Sequence, residues 1–322
     1  MNKNSENFYS FLKINMTLPK KQNLNDLYDK FAAKYPYYAG PNKKQLPKAV
    51  YPVNIATLIN PGDSMSQLPI GEPERSILFG TVTADTSIGI QKNYRNARMQ
   101  NRHSTRQYTW FFWKWLVALK SFANGLNSMT WQASDGYQVN APLRDGEFLG
   151  KLHINSKAEV RLTEVYKIIA KDGRKFMDRS WLNHMSSYFL MCVWLDDGSL
   201  YHSYQGCICL DFSTQHEQGT FCEYLRDAWD IKAYVQTTGE FMADGRERFR
   251  IFIADPDSLL KLLRLVAPLV PVEEMLYKVF FVPKHTTPPE LLQRWASELK
   301  GLVQPEFRSY VENFYEQVIN GR

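Results

Sequence analysis

Hydrophobic and polar positions along this chain follow one order of elements, and that order occurs twice. Residues 74–86 and 186–198 are apolar and rich in small residues, and each ends on an acidic side chain, so each predicts a buried helix. Alternating, strand-like sequence then predicts a β-hairpin after each helix. The strand segments are 87–94, 97–104, 199–204 and 206–214.

An amphipathic helix, a second strand pair and a closing helix complete each half. In the first half these elements are predicted at 106–122, 128–134, 150–156 and 157–170. In the second half they are predicted at 215–229, 231–239, 247–255 and 257–266, where Asp255 and Pro256 supply a helix start signal. The sequence therefore predicts an internal αββαββα repeat.

Two flanking regions lack this pattern. Residues 1–72 contain seven prolines, paired lysines and one predicted helix at 24–33. They are interpreted either as an extended arm around the body or as a basic arm on a nucleic-acid backbone. Helical segments at 289–301 and 305–319 predict a C-terminal cap. The expected regions are an extension (1–72), two repeats (73–180 and 181–283) and the cap (284–322).

Composition adds little to this organisation. A net charge of +6 favours an anionic partner, although enzymes without one carry similar charge. Four cysteines form no CxxC pair, so core thiols and an intracellular compartment, bacterial or organellar, are expected. No apolar run reaches the roughly 20 residues of a membrane span. The aromatic stripe is predicted to be core and comprises Trp110, Phe111, Trp113, Trp115 and Leu116.

The two opening helices can be aligned with each other. LFGTVTADT at 78–86 lies over LMCVWLDDG at 190–198. Both resemble the motif of the LAGLIDADG homing endonuclease family. Gly80, Ala84 and Asp85 match it in the first copy, and Asp197 and Gly198 match it in the second. The first copy departs from the motif at Phe79, Thr83 and Thr86.

Small residues on the facing side of the first helix support the alignment. Two helices that cross closely need small residues four apart on the facing side, which Gly80 and Ala84 supply. Asp85 and Asp197 would then emerge side by side, where their repulsion calls for a hard divalent ion. Mg²⁺ is the expected cofactor, and Mn²⁺ is expected to substitute for it.

Asp196 fits such a crossing only if it turns outward. A solvated or strand-capping side chain is the expectation, with support of the metal site as the alternative. Within the resemblance, the backbone carbonyls of Ala84 and Asp196 are expected as further metal ligands.

Two lysines extend the resemblance. Similar members carry a basic active-site residue in a Met-x-Tyr-Lys ending, which Lys278 matches. Its counterpart in the first half is Lys175, with Arg174 as the alternative. A lysine beside a scissile phosphate can stabilise developing charge. The alternative for both lysines is an ordinary solvated surface charge.

The hairpins carry polar and basic side chains that can read base edges, and Arg98, Gln100 and Arg102 alternate on one face. The alternative is the ordinary wet face of a sheet. The first hairpin of the second half is poorer in basic residues and includes Asp211, an asymmetry that suits a non-palindromic target. The expected nucleic-acid contacts are Gln91, Lys92, Arg95, Arg98, Gln100, Arg102, Lys151, His153, His202, Tyr204, Gln205, Gln236, Arg246, Arg248 and Arg250.

Taken together, the sequence predicts an α+β fold of two pseudo-symmetric repeats whose antiparallel sheets form a DNA-binding saddle. The resemblance implies a monomeric, metal-dependent endonuclease that cuts both strands of a long double-stranded DNA site. It also implies cleavage across the minor groove that leaves short 3′ overhangs. Two alternatives remain open: an RNA maturase that binds intron RNA, and a domesticated nucleic-acid-binding protein that does not cut.

Overall fold

The two halves of the chain contain the same order of helices and strands. The computed structural model describes residues 24–40, 43–52, 65, 67–132, 150–201, 204–242, 245–281 and 289–320. Two helices, α1 (Leu24–Lys34) and α2 (Pro36–Ala39), precede the repeats. The first repeat contains α3 (Glu74–Thr83), β1 (Thr86–Gly89), β2 (Arg98–Ser104), α4 (Tyr108–Phe112), β3 (Met129–Gln132), β4 (Lys151–Asn155) and α5 (Val160–Ile169).

The connection to the second repeat consists of short elements that the sequence did not predict. They are β5 (Ala170–Lys171), β6 (Arg174–Lys175) and α6 (Arg179–Leu182). The second repeat contains α7 (Ser187–Asp197), β7 (Gly198–Tyr201), β8 (Gln205–Ile208), α8 (Gln215–Trp229), β9 (Tyr234–Phe241), β10 (Glu247–Ile253) and α9 (Pro256–Val266). A 3₁₀ segment at Glu273–Lys278 leads to α10 (Pro289–Leu302) and α11 (Arg308–Asn320).

Each repeat forms one four-stranded antiparallel sheet with the same strand order. The first sheet runs β1-β2-β4-β3 and the second runs β7-β8-β10-β9. Thr86 pairs with Asn101 in the first sheet, and Gly198 pairs with Ile208 in the second. Since Thr86 and Gly198 each follow a motif aspartate, Asn101 and Ile208 occupy equivalent positions. The predicted α+β repeat is therefore confirmed.

Helices α3 and α7, the motif helices, pack against each other at the centre of the molecule. Nearly every residue of both helices is buried. A Cβ atom added at Gly80 would lie 2.7 Å from Cys192 Cβ and 2.8 Å from the carbonyl oxygen of Phe189. The helix backbones thus approach closely where the sequence predicted a small residue.

Local signals explain where the later helices begin. Thr214 and Glu217 form a reciprocal capping box at the start of α8. Asp255 caps α9, and Pro256 stands in its first turn. Leu259, Leu262 and Val266 then place one apolar face of α9 in the core. The predicted bounds of these two helices hold within one residue.

The aromatic helix of the first repeat departs from its prediction. Trp110, Phe111, Trp113 and Trp115 are fully buried, as expected, while Leu116 is half-buried. The sequence predicted one continuous helix over 106–122. Instead, the α-helical part, α4, ends at Phe112, and a π-helix follows at Trp113–Ala118. The amide of Leu119 donates to the carbonyl of Lys114 across five residues. This wider turn shifts the side chains relative to an α-helix and is a common feature near functional sites.

The described parts of the terminal regions pack on the repeats. Phe31 of α1 lies 5.8 Å from Phe112, ring centre to ring centre. Tyr188 donates a 2.5 Å hydrogen bond to the carbonyl of Pro47. The predicted C-terminal cap packs on the second repeat through stacking of the Phe314 ring on the Phe280 ring. These contacts favour the wrap interpretation for the described residues before 53; residues 1–23 lie outside the described ranges.

Two further observations concern the cysteines and membrane association. All four cysteines fall within the described ranges and form no disulfide. Cys207 Sγ and Cys209 Sγ lie 3.9 Å apart, on one face as their spacing predicted. Among the described residues, no helix combines the length and the apolar character that crossing a membrane requires.

The crossing at Gly80 provides a stability test. Gly80→Ala should lower the free energy of unfolding by about 1–3 kcal/mol, since the new methyl group meets backbone atoms that cannot move independently. Gly219→Ala, within α8, is the matched control, because a Cβ there has no neighbour within 4 Å. The control should gain about 0.5–1 kcal/mol from helix propensity. Urea denaturation measures both variants, and equal effects would contradict close packing at Gly80.

Candidate metal centre and nucleic-acid interface

The motif helices deliver Asp85 and Asp197 to one region of the molecule. Asp85 stands between α3 and β1, and Asp197 is the last residue of α7. Burial, followed by the charges of Asp85 and Asp196, raises the pKa of Asp197 to about 8. Asp85 remains exposed to solvent, although shielding of its carboxyl, followed by Asp196, raises its pKa as well. The aspartates therefore meet in an electrostatic environment that disfavours their joint ionisation.

The chemistry of these donors suits a hard divalent cation. Carboxylate oxygens are the ligands that Mg²⁺ prefers. Burial, followed by repulsion from Asp85 and Asp196, raises the pKa of Asp197, and a cation between the carboxylates would favour their charged forms. The carbonyl of Ala84, an expected metal ligand, also accepts a 3.2 Å hydrogen bond from Lys175. The carboxylates are thus the stronger candidates for direct coordination.

Lys175 and Lys278 occupy equivalent places in the two repeats. Lys175 Nζ donates to the carbonyls of Val82 (2.7 Å), Ala84 (3.2 Å) and Thr86 (3.2 Å). Lys278 Nζ donates to the carbonyl of Gly198 at 2.5 Å, and Gly198 is the counterpart of Thr86. Both ammonium groups therefore lie against the end of the motif helix in their own repeat.

Different local structures position the two lysines. Lys175 lies on β6, after a tight turn in which Asp172 and Gly173 take positive φ angles of 53° and 79°. Lys278 ends a 3₁₀ segment whose last carbonyl accepts a hydrogen bond from Trp194 Nε1 at 2.8 Å. Arg174, the alternative partner, instead forms a 3.1 Å ion pair with Glu217. The geometry therefore favours Lys175 over Arg174.

Burial changes the chemistry of Lys175. It lowers the pKa of this ammonium to about 8, against the opposing effects of Asp197 and Asp85. The lysine consequently belongs electrostatically to the same centre as the aspartates. It is not an ordinary solvated surface charge.

The side chain of Asp196 corrects an expectation. It was expected to be solvated or to cap a strand, yet it is 0% exposed. It accepts hydrogen bonds from Lys114 Nζ at 2.6 and 2.9 Å and from Trp110 Nε1 at 2.6 Å. Burial opposes its charge, but Lys114 and His103 outweigh that effect and lower the pKa of Asp196. The expectation failed because a buried cation from the other repeat makes an inward carboxylate favourable.

His103 and Lys114 were missed by the sequence reasoning. His103 Nε2 lies 3.3 Å from Lys114 Nζ, and its Nδ1 lies 3.1 Å from Gln107 Oε1. One ligand atom each from Asp85, His103 and Asp196 lies within 4.8 Å of the others. A signal was present, since Lys114 is the one charged residue in the apolar run WFFWKWLVAL. A lysine in such a run needs a buried partner.

The first sheet presents the predicted polar face. Arg98, Gln100 and Arg102 alternate along β2 with Met99, Asn101 and His103, which are buried. Arg102 is opposite His153 across the β2–β4 pair, and Gln100 is opposite Asn155. Lys151 lies two residues before His153 on the same face. Gln91, Lys92 and Arg95 lie in the connection between β1 and β2, because β1 is shorter than predicted.

In the second sheet, internal contacts engage two of the arginines, and one of these, Arg248, has acidic partners. Arg248 forms ion pairs with Asp211 (3.2 Å) and Glu240 (2.9 Å). Arg250 donates to Gln236 at 2.9 Å and to the hydroxyl of Tyr201 at 2.6 Å. Two faces with the same topology thus differ in available positive charge.

Three further predicted contacts of the second repeat fall within the described residues. Gln205 begins β8, and Arg246 lies just before β10. Tyr204 takes a positive φ of 58°, and its ring packs 4.8 Å from that of Phe281. His202 lies outside the described residues.

Comparisons with known proteins agree with this geometry. A profile of the LAGLIDADG DNA endonuclease family matches residues 75–255. The structure is similar to that of the homing endonuclease I-WcaI bound to its DNA recognition sequence, with 12% sequence identity and a TM-score of 0.52. That match covers 68% of this chain and 98% of the other. It supports the fold assignment.

Two weaker structural matches were also found. The N-terminal LAGLIDADG domain of DUF199/WhiA matches with 16% identity and a TM-score of 0.35, covering 73% of this chain and 98% of that one. Full-length DUF199/WhiA from Thermatoga maritima matches with 13% identity and a TM-score of 0.32, covering 80% and 94%. No match was found among curated protein sequences.

The raised pKa of Asp197 predicts pH-dependent Mg²⁺ binding. Its carboxyl must lose a proton to bind the ion, so affinity should rise with pH up to about 8 and then level off. The change should approach tenfold per pH unit below that value. Without metal, the free energy of unfolding should fall as pH rises from the ordinary pKa of 3.8 towards 8, because the unfolded chain releases this proton while the folded chain retains it. Isothermal titration with Mg²⁺ between pH 6 and 9 measures the effect, which Asp197→Asn should flatten.

The buried Lys114–Asp196 pair predicts strong energetic coupling. Either Lys114→Met or Asp196→Ala alone should cost about 3–5 kcal/mol, because each leaves one buried charge without its partner. The double variant should recover most of that loss. Urea unfolding of the four proteins gives the coupling energy, and simple additivity of the two losses would show that the groups do not compensate each other.

Proposed function

This chain belongs to the LAGLIDADG DNA endonuclease family, and we propose that it is a site-specific homing endonuclease that makes a double-strand break in a long, non-palindromic DNA target. The observation that carries the proposal is the delivery of Asp85 and Asp197 to one centre by closely packed helices. Two motifs in one chain provide both aspartates, so the proposed enzyme acts as a monomer.

In this proposal the motif residues hold the metal. The Asp85 and Asp197 carboxylates bind Mg²⁺, which Mn²⁺ can replace, and the carbonyls of Ala84 and Asp196 are further candidate ligands. When bound, the metal supplies an activated water and stabilises the leaving oxygen of the phosphodiester.

The two lysines supply fixed positive charge at the same centre. Lys175 and Lys278 are each held by backbone carbonyls at the end of a motif helix. Their equivalent positions suit one lysine per DNA strand, where each ammonium stabilises charge that develops on the phosphate oxygens. Holding the ammonium groups in place before DNA binds reduces the cost of organising the site.

The sheet faces provide recognition in this proposal. Arg98, Gln100 and Arg102 share one face of β2 and can contact base edges of the major groove, where arginine pairs with guanine and glutamine with adenine. The less basic second face, where Arg248 and Arg250 have internal partners, would read a different half-site. This inequality supports a non-palindromic target. The related structure of I-WcaI is bound to its DNA recognition sequence.

A cleavage experiment tests the proposal. Genomic DNA that lacks this reading frame is incubated with the full-length protein and Mg²⁺, and new ends are mapped by sequencing. Breaks with short 3′ overhangs at one site are expected with Mg²⁺, and binding without cleavage is expected with Ca²⁺. Asp85→Asn and Asp197→Asn should each lower the rate by about 10³-fold or more.

The matched control is Asp172→Asn. Asp172 is an exposed turn aspartate with φ of 53°, a conformation that asparagine also adopts, so cleavage should be unchanged. Full activity after replacement of both Asp85 and Asp197 would overturn the proposal. Tight binding of intron RNA by a protein that never cuts DNA would instead favour the maturase, and DNA binding without cutting would favour a domesticated protein.

A further inference from the structure

Behind the proposed metal centre lies a buried group of charged and polar side chains that the reaction above does not use. The side chains of Lys114 and Asp196 are 0% exposed, and that of His103 is 1% exposed. Lys114 Nζ lies 2.6 and 2.9 Å from the carboxylate oxygens of Asp196 and 3.3 Å from His103 Nε2. An ammonium group has three hydrogens to donate, and these contacts use them.

The orientation of His103 supports this arrangement. Its Nδ1 faces the side-chain oxygen of Gln107, which can only accept, so Nδ1 carries the proton. Nε2 is then a lone-pair acceptor that faces Lys114. The imidazole is therefore neutral. Its unprotonated nitrogen, which can accept from a cation, points towards Lys114.

The same group has the composition of a metal site. The ligand atoms of Asp85, His103 and Asp196 lie within 4.8 Å of one another. Around an ion with bonds of about 2.1 Å, neighbouring ligands stand roughly 3–4 Å apart, so a small closure of the group would complete a site. One imidazole and two carboxylates suit a transition ion such as Co²⁺, Mn²⁺ or Zn²⁺. Such an ion would draw Asp85 away from Asp197.

The equivalent positions of the other repeat are apolar. Counting from the equivalent residues Asn101 and Ile208, His103 corresponds to Leu210 and Lys114 corresponds to Phe221. The motif alignment places Ala84 opposite Asp196. Leu210 and Phe221 are fully buried and apolar, so these two positions supply neither a cation nor a metal ligand. Among the described residues, the one group of three possible metal ligands is that of Asp85, His103 and Asp196.

We propose that Lys114 is an internal cation that occupies this three-ligand group and keeps transition metals out of it, so that Asp85 stays available to the centre shared with Asp197. Lys114 acts as a positioning residue, because it works through Asp196 and His103 and does not touch DNA. Only the statement that Asp85 stays available to the centre shared with Asp197 rests on the proposed nuclease function. The exclusion of metal can be measured without any DNA.

The experiment uses Co²⁺ alone as the probe on the full-length protein. Lys114→Ala removes the ammonium and vacates its space. Co²⁺ should then enter the three-ligand group and give a visible absorption band from its nitrogen ligand, a band that the unsubstituted protein should lack. Adding His103→Leu to Lys114→Ala should abolish this band. Leucine is chosen because the other repeat has Leu210 at this position.

Lys175→Ala is the matched control, since it removes another cation near the aspartates without opening the three-ligand group. It should give no nitrogen-ligated band. A folded Lys114→Ala protein, checked by circular dichroism, that shows no nitrogen-ligated Co²⁺ band would overturn the proposal. A band that persists after His103→Leu would do the same.

If Lys114→Ala does not fold, a second variant tests whether Lys114 excludes metal. In the chain that retains Lys114, His103→Leu should leave the number of bound Co²⁺ ions and their spectrum unchanged, because Lys114 already excludes metal from His103. Loss of one ion in that variant would show that the native group binds metal and would overturn the proposal. Absence of DNA cleavage would refute the nuclease function but would leave these Co²⁺ results valid.

Discussion

The close crossing of the two motif helices at Gly80 is the constraint on which the rest of the structure depends. With glycine at this point, the backbone of α3 reaches the Phe189 carbonyl and the Cys192 side chain. Both helices are almost completely buried, so their polar ends must emerge together where the packing stops. The approach of Asp85 and Asp197 follows from that packing. The sheets that follow each helix are carried to corresponding positions.

Bringing acids together in a partly buried region creates an electrostatic cost that the protein meets in two ways. Lys175 and Lys278 reach the ends of the motif helices from outside and donate to their carbonyls. Lys114 compensates Asp196 from inside the core. Burial, followed by the charges of Asp85 and Asp196, raises the pKa of Asp197 despite the opposing effects of Lys175 and Lys278. A divalent cation would neutralise the negative charge of these carboxylates.

The two repeats share a topology and differ in chemistry. Strand order and the pairing after each aspartate are the same, so the backbone framework is nearly symmetric. The side chains break that symmetry on the sheet faces, where Arg248 has acidic partners and Arg102 lies among other basic groups. They break it again in the core, where Lys114 and His103 replace apolar residues. The two halves thus share one packing arrangement and present different side chains.

Sequence by itself determined the repeat, its element order and the identity of the motif aspartates. Those features depend on local periodicity, capping signals and small-residue spacing, which can be read along the chain. Only the tertiary structure decided that Asp196 turns inward, that α4 continues as a π-helix, and that Lys175 takes the place for which Arg174 was the alternative. Two of these outcomes depend on a partner distant in sequence: Lys114 for Asp196, and Glu217 for Arg174. The stability of a buried charge depends on what surrounds it in space, and the order of residues in one segment does not specify those neighbours.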